Sequence, residues 1–211
     1  METLKDYLKS IGACGSAVDW AGDKIIEQVV AECHRGDWLL WLGQKCGVEL
    51  QPLILAKGHC ANTVRHLMTD ERSVNAVDMA IAFGEGRATA DELNATHDAH
   101  AAHAASSDSY ADHAAHIASA ASAAHDACAD YVAYAAAHAA AHTIAYASDD
   151  AYAVTYAAEF NVIQMQAANI CRRLIPLPFS SITIVSGLRP VLAMRNGPNI
   201  GLITGFWSSS P

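Results

Sequence analysis

One long segment of this sequence lacks the two residue types that break helices. Residues 87–175 contain no glycine and no proline, and roughly the first two-thirds of this segment is nearly half alanine. Alanine loses the least conformational entropy in a helix, whereas glycine and proline disfavour one, so the composition predicts helix through most of the segment. Because a methyl group extends only a short distance from the backbone, these helices are expected to pack very closely.

Basic residues are also missing from this alanine-rich segment. Between residues 88 and 171 the chain has no lysine or arginine, but ten acidic residues and eight histidines. The lack of basic residues here and the formal net charge of −9 for the whole chain argue against nucleic-acid binding, because such binding needs a basic surface. An acidic helical face instead favours a basic protein partner. The candidate partner-binding residues are Asp112, Asp126, Asp130, Asp149 and Asp150.

Signatures of membrane insertion, secretion and disulfide frameworks are absent as well. No run of 18 apolar residues lacks a charge or a helix breaker, and the first residues include acids but no apolar signal core. The six cysteines are scattered and form no CxxC pair. We therefore expect a cytoplasmic protein with reduced thiols, which neither spans nor binds a membrane.

Catalytic and cofactor motifs are missing too. The sequence has no GxSxG, no phosphate-binding loop, no dinucleotide fingerprint and no HExxH. His138 and His142 are four residues apart, a spacing found in metal sites, but a site needs three or four ligands. The interpretation is a non-enzymatic protein without a cofactor or metal. The histidines are taken as solvated surface residues, whose protonation near pH 6.5 would reduce the negative charge.

The first 86 residues predict short helices separated by glycines. Apolar spacing and stop signals place helices over 4–11, 16–34 and 38–42, then from Pro52 through Leu67 and from near Ser73 to Gly84. In this scheme Asp37 caps the short helix. Trp38 and Trp41 share a helix face, and core anchoring is the favoured interpretation over a binding hot spot.

The alanine-rich segment begins at a capping box formed by Thr89 and Glu92. One unbroken helix would extend about 130 Å, far beyond the diameter of a globular protein of this size. Serine and aspartate at 106–109 and 148–150 are typical of helix starts, so three helices near 90–105, 109–147 and 149–175 are predicted. A single coiled-coil rod is the alternative.

The character of the chain changes at Pro176. Five of the six prolines and four glycines lie in residues 176–211, where 181–185 resembles a short strand. The tail could be a β-hairpin, a flexible extension or a translational accident. The predicted fold is therefore all-α: a helical bundle over 1–175, with short helices in 1–86 packed against long alanine-rich helices in 87–175, plus an irregular or short β tail over 176–211.

Four features in order resemble a family of immunity proteins found in bacterial polymorphic-toxin neighbourhoods and in phage genomes. They are CHRGDWLLWL at 33–42, the segment 56–67 with Cys60-Ala61, AIAF at 80–83, and the alanine tract closing in CRRLIP at 171–176. The resemblance covers roughly residues 12–176. It implies a non-enzymatic, all-helical protein that neutralises a toxin by binding it, and it assigns no catalytic residues.

Two other functions remain open at this stage. A structural or self-assembling protein would pack its alanine faces between chains, which makes a homo-oligomer an option. A metal-dependent enzyme using the histidines is the third. The principal hypothesis is a binding module that occludes a basic toxin domain through its acidic helical surface.

Overall fold

In a computed structural model, the structure describes residues 3–106, 109–119, 131–146 and 152–176. Every regular element within these ranges is helical, which confirms the all-α class. The predicted strand at 181–185 lies outside the described residues. The short N-terminal helices are α1 (Leu4–Ser10), α2 (Gly15–Ala21), α3 (Ile26–Glu32), α4 (Gly36–Lys45), α5 (Leu50–Asn62), a 3₁₀ turn (Arg65–Leu67) and α6 (Glu71–Gly84). The alanine-rich helices are α7 (Ala90–Ser106), α8 (Tyr110–Ala118), α9 (Tyr131–Tyr146) and α10 (Tyr152–Leu174).

Two of the predicted helices are divided in the structure. The helix expected over 16–34 is wrong, because Gly22 takes a positive φ of 54° after α2 and the chain turns before α3. The helix expected over 109–147 is also wrong, since α8 ends at Ala118 and α9 begins at Tyr131. One helix over that span would be about 58 Å long. Dividing it allows α8 and α9 to pack against each other.

Capping hydrogen bonds mark the starts of other helices. The capping box at Thr89 is confirmed, since the Thr89 N–H donates to Glu92 Oε2 at 2.8 Å and the Glu92 N–H donates to Thr89 Oγ1 at 3.3 Å. Ser109 caps α8 as predicted. The prediction that Asp37 is an N-cap is wrong, because α4 already begins at Gly36 and the Asp37 carboxylate pairs with Arg35.

The helices fold back on one another, so the alternative of a single rod is wrong. α9 packs most extensively on α10 and also on α8, while α5 contacts α6, α8 and α10. α10 returns to the N-terminal helices at α4, where a Cβ added to Gly36 would come within 2.3 Å of the Ala167 Cβ. The core combines large side chains from the first helices with alanines from α8, α9 and α10.

Candidate functional site

Among the residues that the structure describes, the exposed acids of the alanine-rich helices lie on α7. Asp91 and Asp98 are both exposed, and two helical turns separate them, so they project from similar sides of the helix. Neither makes an ion pair among the described residues. Glu92 is also exposed, but its carboxylate is engaged in the capping box. The predicted partner-binding residues Asp126, Asp130, Asp149 and Asp150 lie outside the described residues.

Asp112, the remaining predicted partner-binding residue, is buried. The expectation that it contributes to an exposed acidic face is wrong. It occupies the first turn of α8, where its carboxylate accepts a hydrogen bond from the Ser73 hydroxyl at 2.6 Å. Burying an ionised carboxylate is unfavourable unless it is hydrogen-bonded, and the helix N-terminus together with this hydroxyl provides that compensation.

Ser73, His100 and Asp112 form a buried polar chain joining α6, α7 and α8. Ser73 Oγ lies 3.0 Å from His100 Nε2 as well as 2.6 Å from Asp112 Oδ1. A serine hydroxyl has one proton, and Ser73 donates its hydrogen bond to Asp112 Oδ1. His100 Nε2 then donates to Ser73. The histidine therefore cannot act as a base towards this serine, which distinguishes the chain from a catalytic triad.

The interpretation of the histidines as solvated surface residues is wrong for His100, and the other histidines of the alanine-rich helices whose burial is described are half-buried. His100 is fully buried, and His97 stacks on His116 with ring centroids 4.2 Å apart. His97 Nδ1 lies 3.2 Å from both the His116 carbonyl and Ser119 Oγ, while Ser119 itself donates to that carbonyl. Both oxygens can accept a hydrogen bond from His97 Nδ1, so these rings connect α7 to the end of α8.

The His138 and His142 pair lies among aromatic rings. The imidazole of His138 stacks on Tyr110 at a centroid distance of 3.9 Å, and Tyr156 meets its edge at 5.3 Å. Burial lowers the pKa of His138, and the neighbouring His142 lowers it further. The two histidine rings are 6.2 Å apart. Within the described residues no group of three or more histidine, cysteine, aspartate or glutamate side chains is arranged to hold a metal ion.

Apolar side chains are exposed along α10. Val154, Val162 and Met165 are exposed, with the exposed Ala158 between them. Their spacing of three to four residues places them along one side of the helix. This exposed α10 stripe is an apolar surface that the helices of the described ranges leave uncovered.

Some buried polar residues had no obvious signal in the sequence. Lys57 in α5 and Gln164 in α10 are both fully buried. Gln164 Oε1 accepts the Asp37 N–H at 3.2 Å, which joins α10 to the start of α4. The one feature of the sequence that could have indicated burial is the position of Lys57 within the mainly apolar segment from Leu53 to Ala61.

Comparison with protein-family models, with curated proteins and with solved structures finds no match to this chain. The resemblance to immunity proteins therefore rests on the sequence features alone. Among the helices described here, none is long and apolar enough to cross a membrane.

Proposed function

We propose that this protein is a non-enzymatic, cytoplasmic binding module that neutralises a basic partner, such as a toxin domain, by occluding it with its acidic helices. The observation that supports this most directly is the exposure of Asp91 and Asp98 on α7, in a segment without lysine or arginine between residues 88 and 171. The acidic charge of that segment is therefore not neutralised by basic residues of its own.

The N-terminal helices differ in this respect. There Arg65 pairs with Asp78, Arg72 with Asp70, and Arg87 with Glu85 just after α6. Ion pairs of this kind reduce the local field, whereas unpaired acids on α7 can attract a basic partner before contact. Complementary charge mainly accelerates association, and salt screens the effect over about 8–10 Å.

A binding role also agrees with the buried polar chain. Ser73, His100 and Asp112 are all buried, and the direction of their hydrogen bonds leaves the serine without a base. Their arrangement supports a structural role between α6, α7 and α8, so the proposal assigns no catalytic residue.

The test is to examine whether a gene beside this one encodes a basic toxin domain, and, if it does, to co-express the two proteins and measure binding of the purified pair. We expect growth rescue, and about tenfold slower association of the Asp91→Lys/Asp98→Lys double variant at low salt. The matched control is Asp23→Lys/Glu27→Lys, which changes an exposed acid between α2 and α3 and another in α3 and should leave association nearly unchanged. Equal rates for both double variants, or no rescue, would contradict the proposal.

The exposed α10 stripe supports a second candidate, a self-assembling helical protein. Val162 and Met165 would be buried if α10 packed against a copy of itself. Light scattering during size-exclusion chromatography distinguishes the two functions. A stable oligomer that Met165→Lys converts to monomers would favour self-assembly, whereas a monomer at all concentrations would exclude it.

A further inference from the structure

A separate cavity of about 380 Å³ lies between the first four helices. Its walls are mainly apolar, with Trp20, Trp38 and Trp41 as the largest lining side chains. Small-molecule sites are typically concave and apolar, a few hundred Å³ in volume, with a small number of polar groups. Of the charged residues described, only Arg35 and Asp37 line this one. We refer to it as the tryptophan cavity.

Cations of the chain already lie against the tryptophan rings. Lys24 Nζ is 4.5 Å from the ring centroid of Trp20, and Arg35 Cζ is 4.9 Å from that of Trp38. Lys45 approaches Trp41 more loosely, at 5.9 Å. The negative face of an aromatic ring is what attracts a cationic ligand. Because basic side chains of the protein use that attraction, the tryptophan cavity is poorly suited to a further cation.

The pair formed by Arg35 and Asp37 leaves hydrogen-bond donors of the guanidinium available at the cavity. The Asp37 carboxylate accepts from two nitrogens of Arg35, Nε and Nη2, and from the Trp38 N–H. The Nη1 group of Arg35 has no hydrogen-bond partner among the described residues. A guanidinium presents five N–H donors, and a charged donor in a partly desolvated position binds an anionic acceptor most strongly.

We propose that the tryptophan cavity binds a small amphipathic carboxylate, with a planar aromatic group against the tryptophan rings and the carboxylate at Nη1 of Arg35. Such a ligand matches the apolar walls and the unused donors together. The net charge of −9 on the chain repels an anionic ligand, so a preference for an anion has to come from the cavity itself. This site is independent of the acidic surface on α7.

Three probes with the same ring separate charge from shape. Indole-3-acetate, tryptophol and tryptamine carry an anion, a neutral hydroxyl and a cation on an indole. Calorimetric titration of the full chain should show indole-3-acetate binding about tenfold more tightly than tryptophol, with tryptamine weakest. Equal affinity for the anion and the alcohol, tighter binding of tryptamine, or no binding of any probe at millimolar concentration would overturn the proposal.

Variants then locate the binding. Arg35→Gln should remove the preference for indole-3-acetate while tryptophol binding persists, which also shows that the cavity remains folded. Arg72→Gln is the matched control, because Arg72 likewise pairs with an aspartate two residues away but lies outside the cavity. Ala17→Leu should fill the cavity and abolish binding of all three probes. Unchanged binding by Ala17→Leu, or an equal loss in both arginine variants, would place the ligand elsewhere.

Discussion

The core of residues 3–86 is filled by large side chains, whereas the core of the alanine-rich helices is filled by methyl groups. Leu39, Leu40 and Ile54 are almost completely buried in the first region, while α8 and α9 bury mainly alanines. Burial stabilises in proportion to apolar area, so each alanine contributes much less than a leucine. The second region must gain its cohesion from the close approach of many small side chains and from a few specific polar contacts.

Polar groups are accordingly placed differently in the two regions. Most arginine–carboxylate pairs of the first region are exposed, and exposed pairs stabilise little. The alanine-rich helices instead bury His100 and Asp112, which bond to Ser73 of α6 where α7 and α8 meet that helix. A buried, hydrogen-bonded network fixes helix register more than it adds stability, which suits helices whose alanine surfaces offer little shape to distinguish one register from another.

The largest effect is expected from removing a large side chain in the first region. Leu40 is completely buried in α4, so Leu40→Ala should reduce the free energy of unfolding by about 4 kcal/mol, through lost burial and the cavity left behind. Urea denaturation monitored by circular dichroism measures this. Met165→Ala, on the exposed α10 stripe, is the control and should change stability by less than about 0.5 kcal/mol. Similar losses in both variants would mean that the two regions do not differ as described.

The next largest loss of stability is expected at the close contact between the two regions, where α4 meets α10. An added Cβ at Gly36 would lie 2.3 Å from the Ala167 Cβ and 2.8 Å from the Ala167 backbone carbon, so α4 and α10 must separate. Gly36→Ala should cost about 3 kcal/mol in the same denaturation experiment. Gly15→Ala is the matched control, because nothing lies within 4 Å of its added Cβ. That substitution should stabilise α2 by about 0.5 kcal/mol, and a neutral Gly36→Ala would show that the contact is loose.

A smaller effect is expected from the buried polar chain that joins α6 to the alanine-rich helices α7 and α8. Ser73→Ala removes the hydroxyl between His100 and Asp112, so two buried polar groups lose this hydrogen bond. The expected loss is about 2 kcal/mol. Ser10→Ala, which removes an exposed hydroxyl bonded to the Tyr7 carbonyl, is the control and should be nearly neutral. Equal stability of both variants would mean that the polar chain does not hold α6, α7 and α8 together.

The sequence predicted helices better than it predicted the surroundings of their residues, and the reason is physical. The capping box at Thr89 and the cap at Ser109 are local hydrogen bonds between residues three apart, so sequence spacing alone identifies them. The break after α8 has a weaker local signal. It follows Ser119, an ordinary residue in this alanine-rich tract, and it reflects the packing of α8 on α9.

Burial was the main source of error in the candidate site. Asp112 resembles any acid of the alanine-rich segment in sequence, yet its environment depends on Ser73, which is 39 residues away. The tryptophan cavity could not be predicted for the same reason, since four separate helices form its walls. Trp38 and Trp41 do pack against the core as expected, although part of each ring lines this cavity.

The smallest effect is the change of stability with pH, which compares His138 of the alanine-rich helices with a histidine of the first region. Burial lowers the pKa of His138 in the folded state, so the unfolded chain binds a proton more readily. Stability should therefore be fully present above the ordinary histidine pKa of about 6.5 and should decrease as pH falls from there through the lowered folded value. Denaturation between pH 7.5 and pH 5 should show this decrease, and His138→Gln should reduce it. His66→Gln, at an exposed histidine in the 3₁₀ turn, is the control and should retain the decrease. If both variants keep the full decrease, other groups are responsible, and the aromatic surroundings of His138 do not penalise its charge.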